Sequence, residues 1–208
     1  PEAPNRFLIS RAQAPDLITE DDMVEMDFEN HILEAKEGYR PFSESVIHAA
    51  IYAARDDVNC VCHAHPLEVI PFASSDIPLR SMTHLGVVFY EGIPVFQDLP
   101  PEAGLLVNTM EMGRALARTL GHRRGALIRN HGMVVVGESI PRGVYAAITM
   151  RDCALVQRQT LSMGGKPRFV GDEEAEKGAY IELCGQGLTR AWDYWTRRAT
   201  LAYPELSV

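Results

Sequence analysis

The run NCVCHAHP, Asn59 to Pro66, places two cysteines and two histidines within a short segment of strand-forming character. In a regular β-strand, successive side chains face opposite sides of the sheet. His63 and His65 then share one face, whereas Cys60 and Cys62 share the other. All four side chains cannot ligate one ion, so this run predicts a histidine face and a cysteine face.

Two imidazoles on one strand face can bind a single metal ion through ring nitrogens. Three interpretations of the run remain open at this point. His63 and His65 bind a metal, or they are hydrogen-bonded strand histidines without a ligand, or Cys60 and Cys62 form a thiolate site. The thiolate site needs two further ligands, and the remaining cysteines fall in two separate predicted helices, at Cys153 and Cys184. We therefore expect the strand cysteines to pack inside as small hydrophobic residues.

A second polar interruption occurs in ALIRNHGMVVV, residues 126–136, where His131 stands between two apolar strand segments. Asn130 and Gly132 flank it, which indicates a turn that presents a side chain at the end of a sheet. Three histidines with an open coordination position are typical of a catalytic metal site. Glu44, at a predicted helix start, is a candidate acid/base, although an acidic residue there also stabilises a helix without any catalytic role.

Length and composition limit the class of protein. The chain has 208 residues, 46% hydrophobic and 23% charged, and a formal net charge of −8 with a pI of 5.4. Such values are typical of a globular protein, and we expect a single domain over residues 1–208 with an N-terminal segment missing. The negative charge argues against nucleic-acid and membrane binding. The sparse cysteines and the lack of a signal-peptide pattern favour a cytoplasmic location.

Helical and strand patterns alternate along the chain and predict the α/β class. Strands are expected at RFLIS, in a hairpin of DMVEMDF and HILEA, at VNCVCHAH, at IPVFQ, and on both sides of His131. Helices are expected after Ser43, which can cap the first of them, and in NTMEMGRALARTLG. A long helix follows Ser139, and one further helix covers residues 179–202.

The order FSE, HAHP and RNHG on this α/β pattern resembles the class II aldolase/adducin family, in which similar SSE, HxHP and NHG segments recur. The resemblance covers residues 6–164. It implies a three-layer α/β/α fold with a central mixed, largely antiparallel sheet. It also implies His63, His65 and His131 as metal ligands and Glu44 as the acid/base.

The family resemblance further implies one divalent metal per subunit, Zn²⁺ or Mn²⁺ with Fe²⁺ or Co²⁺ as alternatives. Three histidines alone suit any of these ions. It also implies a homotetramer with its sites at subunit interfaces. A non-catalytic, adducin-like oligomeric module is the least favoured reading, because all four site residues are present.

Two departures from the family's aldolases suggest a different reaction. Phe42 replaces one of the paired hydroxyl residues before the glutamate, and an aromatic ring supplies an apolar wall instead of a phosphate-binding group. In SMTHLG, Leu85 follows His84 where the family often has a tyrosine or glutamine. The surrounding sequence is similar to that of the family's decarboxylases, which act on hydroxylated aromatic or pyridine carboxylic acids.

The sequence therefore predicts a metal-dependent lyase that decarboxylates a hydroxylated aromatic or heteroaromatic acid. Glu44, with its pKa raised by Phe42, is the first candidate proton donor, and His84 is the second. Substrate binding is assigned to Ser43, Phe42 and Arg40, whose guanidinium matches a carboxylate; an exposed loop arginine is the alternative for Arg40. The alternative reaction is aldol cleavage of a sugar phosphate or a hydroxy-keto acid.

Overall fold

The computed structural model describes residues 5–204, which form two compact units. The first unit comprises residues 5–58 and 98–119, and the second comprises residues 59–97 and 120–204. A single domain over residues 1–208 stays a prediction, and the expected N-terminal addition lies outside the described residues.

The first unit contains a three-stranded antiparallel sheet in the order β1-β2-β3. Its strands are β1 (Arg6–Ser10), β2 (Met23–Asp27) and β3 (Ile32–Glu34). In the β1–β2 register, Phe7 lies opposite Met26, and both side chains are buried. The predicted RFLIS strand and the following hairpin are therefore confirmed.

Helix α1 (Ser45–Ala54) packs Ala49 into the core formed by Phe7, Val24 and Met26. The expectation that Ser43 caps this helix is wrong, because the N-cap residue is Glu44. The Ser45 amide instead closes a turn on the Phe42 carbonyl at 3.0 Å. That turn delays the first helical residue by one position relative to a cap at Ser43.

Helix α3 (Met110–Leu120) begins after a long loop and ends before Gly121, whose φ of 57° is left-handed. A left-handed glycine after the last helical residue is a common helix end. Gly113 in α3 faces α1 closely, since a Cβ at this position would lie 2.6 Å from the Val46 carbonyl oxygen. Glycine at this position permits the two helices to pack backbone to backbone.

The second unit contains the sheet that carries the histidines, in the order β4-β7-β6-β5. Its strands are β4 (Cys60–Ala64), β5 (Val95–Phe96), β6 (Gly125–Ile128) and β7 (Gly132–Gly137). The β4–β7 and β7–β6 pairs are antiparallel, whereas the β6–β5 pair is parallel. The α/β class and the mixed, largely antiparallel sheet are confirmed.

Four helices accompany this sheet: α2 (Ile70–Ala73), α4 (Ile140–Ser162), α5 (Asp172–Cys184) and α6 (Gln186–Ala202). Helix α4 packs on β4 and β7, with Met150, Ala154 and Tyr145 among its buried residues. Ser139 caps α4, as its side chain accepts a hydrogen bond from the Arg142 amide at 3.4 Å.

The expectation of one continuous helix over residues 179–202 is wrong. Gly185 separates α5 from α6 in an extended conformation, with φ of −100° and ψ of −176°. A Cβ at this position would collide with the Ile181 carbonyl oxygen, so the break depends on glycine. None of the helices within residues 5–204 is long and apolar enough to cross a membrane.

An ion-pair network joins the residue before β6 and the residue after β7 to helix α4. Arg124 binds both carboxylate oxygens of Glu138, at 3.0 and 2.8 Å, and Arg142 lies 3.5 Å from the same carboxylate. Burial of Glu138 opposes its ionisation, but the Arg124 hydrogen bonds and the two positive charges outweigh it and lower the pKa of Glu138 to about 2. The carboxylate is therefore held in its charged form.

Candidate metal centre

His63 lies near the end of β4, where it pairs with Val134 of β7. Its Nδ1 atom lies 2.9 Å from the Met133 carbonyl oxygen. Because a carbonyl can only accept, Nδ1 carries the proton, and the lone pair of the neutral ring is on Nε2. A carbonyl that fixes the tautomer in this way is a common feature of histidine metal ligands.

The three predicted ligands converge at one end of this sheet. His65 Nε2 lies 3.0 Å from His63 Nε2 and 2.8 Å from His131 Nε2. The ligand atoms of all three rings lie within 4.8 Å of one another. The structure thus brings together His63 and His65, which are two residues apart, with His131 from a distant part of the chain.

The turn between β6 and β7 places His131. Its amide donates to the Ile128 carbonyl at 3.0 Å, and the preceding Asn130 adopts a left-handed φ of 55°. Asparagine tolerates this conformation better than most residues. The Asn130 amide also donates to the Ala73 carbonyl at 2.9 Å, which ties the turn to α2.

Gly132 follows His131 and lies against the end of β4. A Cβ on Gly132 would lie 2.5 Å from the Ala64 carbonyl oxygen and 2.7 Å from Cδ2 of His65. Real side chains do not tolerate such distances, so any larger residue here displaces either the strand or the His65 ring. Glycine is therefore needed next to His131 for the three rings to meet.

These residues fit a divalent transition-metal ion. Two imidazole nitrogens that each lie about 2.0–2.1 Å from one ion are about 3 Å apart, close to the nitrogen separations in this cluster. His63 and His131 are half-buried and His65 is exposed, so the cluster is open on one side. Three histidines and an open side suit a catalytic ion of the zinc, manganese, iron or cobalt group.

The strand cysteines face away from this cluster, as the alternation of the strand predicts. Cys60 lies against Gly143 of α4, and Cys62 packs against the buried core of the second unit. Burial raises the pKa of the Cys60 thiol to about 11 and also raises the pKa of Cys62. Both residues are therefore thiols at neutral pH, and their packing away from the histidine nitrogens excludes them as ligands of this cluster.

Glu44 belongs to the first unit. Its Oε1 atom accepts a hydrogen bond from the Val107 amide at 3.0 Å, and the side chain is half-buried. Its assignment as acid/base at the metal stays a prediction.

His84 lines a cavity of about 660 Å³ in the second unit, together with residues of α4 and α6 such as Tyr145 and Trp195. His63, His65 and His131 do not line this cavity. The Tyr145 hydroxyl donates to Glu182 at 2.8 Å, and burial raises the pKa of Tyr145. A catalytic role for His84 stays a prediction.

The remaining predicted substrate residues, Arg40, Phe42 and Ser43, lie in the loop before α1 and are exposed. The Arg40 guanidinium donates to the Tyr39 carbonyl at 2.7 Å. Phe42 is 42% exposed, so its ring is accessible as an apolar surface. Their assignment to substrate binding stays a prediction.

Two main-chain groups that contact His63 and Glu44 could not be identified from the sequence. The Met133 carbonyl orients His63, and the Val107 amide holds Glu44. Every residue has such groups, so residue type gives no signal of them. The strand register and the path of the loop decide which ones reach the site.

Comparison with known proteins identifies the family. The family model described as "Class II Aldolase and Adducin N-terminal domain" matches residues 2–158. The chain is 27% identical to decarboxylase tropJ of Talaromyces stipitatus, over 95% of this chain and 82% of that protein. It is 31% identical to decarboxylase NovR of Streptomyces niveus, over 76% of this chain and 57% of that protein.

A third relative is the 3,4-dihydroxyphthalate decarboxylase of Arthrobacter keyseri, 26% identical over 82% of this chain and 68% of that protein. Among solved structures, an aldolase II superfamily protein from Pseudomonas syringae has a TM-score of 0.78. It is 23% identical, over 97% of this chain and 81% of that one. This structural likeness shows the fold alone.

Proposed function

The chain belongs to the class II aldolase and adducin family, and from this premise we propose that it is a metal-dependent decarboxylase of a hydroxylated aromatic or heteroaromatic carboxylic acid. The observation that supports a metal-dependent reaction most strongly is the convergence of three histidine Nε2 atoms. Three relatives named as decarboxylases support the choice of reaction.

His63, His65 and His131 would hold the ion. When bound, a divalent ion acts as a Lewis acid, which stabilises the negative charge that develops on a substrate hydroxyl as CO₂ departs. The Met133 carbonyl keeps the His63 ring in the tautomer that this role requires. The open side of the cluster is the side from which a substrate would approach.

For the electron pair of the breaking carbon–carbon bond to reach the hydroxyl oxygen, the ring carbon that carries the carboxylate must first take up a proton. Glu44 is the proposed donor and His84 the second candidate. Phe42 would supply an apolar wall for the substrate ring, and Ser43 would bind a polar substituent. Arg40 would pair with a second carboxylate through its planar guanidinium.

We further propose a homotetramer with its sites at subunit interfaces. Large apolar side chains on α5 and α6 support association, since Tyr180 is 73% exposed and Leu201 is 69% exposed. Light scattering is expected to give four times the mass of one chain. A monomeric mass at micromolar concentration would contradict this proposal.

The reaction is tested with protein loaded with Mn²⁺ or Zn²⁺ and a panel of carboxylic acids. 3,4-Dihydroxyphthalate and ortho-hydroxybenzoates represent the proposed class, and sugar phosphates and hydroxy-keto acids represent the aldolase alternative. We expect CO₂ from the first group and no aldehyde from the second. Aldehyde release without CO₂ would establish the aldolase alternative, and the absence of both products and of bound metal would leave a non-catalytic module.

A further inference from the structure

The loop between β5 and α3 contains a strained turn. Gly104 has a φ of 59°, and the next residue, Leu105, has a φ of 71°. Left-handed backbone is easy for glycine but unfavourable for a bulky residue such as leucine. Strained residues of this kind persist only where the surrounding structure requires them.

The Leu105 side chain is 41% exposed and is not part of the buried core. Main-chain hydrogen bonds define the turn instead: the Gly104 amide donates to Pro101 at 3.2 Å, and the Leu106 amide donates to Ala103 at 3.1 Å. The turn therefore sets the direction of the chain that follows it.

Directly after the turn, the chain becomes fully buried at Val107, which is 0% exposed. The Val107 amide donates to Oε1 of Glu44 at 3.0 Å. Glu44 is the N-cap of α1, but its side chain makes no capping bond to that helix. The strained turn thus aims a main-chain donor at the carboxyl group proposed as the acid/base.

We propose that Leu105 is a positioning residue whose left-handed turn holds the Val107 amide against Glu44; this inference rests on the proposed function. Because Oε1 accepts the hydrogen bond from the Val107 amide, the acidic proton of Glu44 would be carried on Oε2. The carboxyl group then presents one defined oxygen for proton delivery to the substrate carbon. A shift of about 1 Å in such a group lowers catalysis by up to about 100-fold.

The experiment uses a matched pair of isomeric substitutions in the full-length, metal-loaded chain. Leu105→Ile keeps side-chain volume but adds a β-branch, which the left-handed region excludes. Leu106→Ile makes the same chemical change at the neighbouring residue, which does not have a positive φ. Leu105→Gly keeps the left-handed turn without strain.

We measure kcat and KM for CO₂ release, and amide hydrogen exchange at Val107 by NMR. Leu105→Ile is expected to lower kcat about 10- to 100-fold, to leave KM within about twofold, and to speed Val107 exchange. Leu106→Ile is expected to leave all three unchanged, and Leu105→Gly to keep the Val107 amide protected. A purely structural role for the turn would lower the melting temperature but leave kcat and Val107 exchange unchanged, which would overturn the proposal.

Glu44→Gln separates this proposal from the function on which it rests. If Glu44 is the proton donor, this variant loses about 100-fold or more in kcat. An active Glu44→Gln enzyme would remove both the acid/base assignment and the positioning role. An inactive Glu44→Gln together with a fully active Leu105→Ile would overturn the positioning role alone.

Discussion

At the scale of single residues, the proposed metal centre depends on two main-chain positions that hold the histidine rings in place. The Met133 carbonyl sets the tautomer of His63, and Gly132 leaves room for the His65 ring. Neither position supplies a ligand. Both are nevertheless required if three Nε2 atoms are to meet at 2.8 and 3.0 Å.

Gly132→Ala tests this requirement. The new methyl group would lie 2.5 Å from the Ala64 carbonyl oxygen and 2.7 Å from Cδ2 of His65, so the end of β4 or the His65 ring must shift. We expect the affinity for Zn²⁺ to fall at least about tenfold, as for other changes that misplace a ligand. Gly171→Ala is the matched control, because a Cβ at Gly171 meets nothing within 4 Å. Isothermal titration with unchanged affinity in Gly132→Ala would contradict this account.

The sequence was sufficient to predict which three histidines come together, but not which groups hold them in place. Strand alternation placed His63 and His65 on one face, and the polar break at Asn130 indicated His131. One of these supports is a main-chain carbonyl and the other is the space that a missing Cβ leaves. Residue type does not predict where either of them will lie. The predicted role of His84 stays a prediction, and the structure places this residue at a cavity that it lines with residues of α4 and α6.

At the scale of elements, the two faces of strand β4 carry different side chains and have different roles. One face carries the histidines, and the other packs on α4, where Gly143 contacts Cys60. The register of β4 therefore decides both which side chains join the histidine cluster and where a long helix packs. A slip of one residue would place the cysteines at the cluster and the imidazoles in the core.

Gly143→Ala tests the packing face. A methyl group on Gly143 would collide with Sγ of Cys60 and lie 2.9 Å from its Cβ. We expect the free energy of unfolding to fall by about 1–3 kcal/mol, as in other overpacked cores. Cys60→Ala in the same chain removes the sulfur and should restore part of this loss. Urea denaturation of the four members of the cycle measures it, and strictly additive effects would exclude the contact.

The element boundaries show where sequence patterns fail. The sequence predicted one helix over residues 179–202, whereas Gly185, in an extended conformation, ends α5 and separates it from α6. Similarly, Ser43 has the side chain of a good helix cap, but a turn on the Phe42 carbonyl moves the helix start to Ser45. Both errors arise because local propensity is weaker than the packing of neighbouring segments.

At the scale of the whole chain, stability depends on pH through Glu138. Its pKa of about 2 is below the ordinary value of 4.5, so its stabilisation is present above about pH 4.5 and is lost as the pH falls towards 2. Between pH 6 and pH 3, the unfolding free energy of the wild type should fall by about 1 kcal/mol more than that of Glu138→Gln. Urea titrations at both pH values measure this difference. Equal losses of unfolding free energy in the two proteins would show that the ion pair with Arg124 does not contribute to the pH dependence of stability.

The α/β class, the mixed sheet and the family could all be predicted from sequence, because alternating element patterns and three short motifs point to the same fold. The division into two compact units gave no such signal, since glycine and proline are scattered as turn residues instead of being concentrated in a linker. The substrate is also not encoded in the three ligands, because the same histidine cluster suits both aldol cleavage and decarboxylation.

The most direct test of the central claim is a titration of metal-stripped protein with Mn²⁺ or Zn²⁺ while CO₂ release from an ortho-hydroxybenzoate or from 3,4-dihydroxyphthalate is followed. We predict no release before metal is added, a rate that saturates at one ion per chain, and no recovery in His131→Ala at any stoichiometry. CO₂ release that is independent of added metal, or an active His131→Ala variant, would contradict the account.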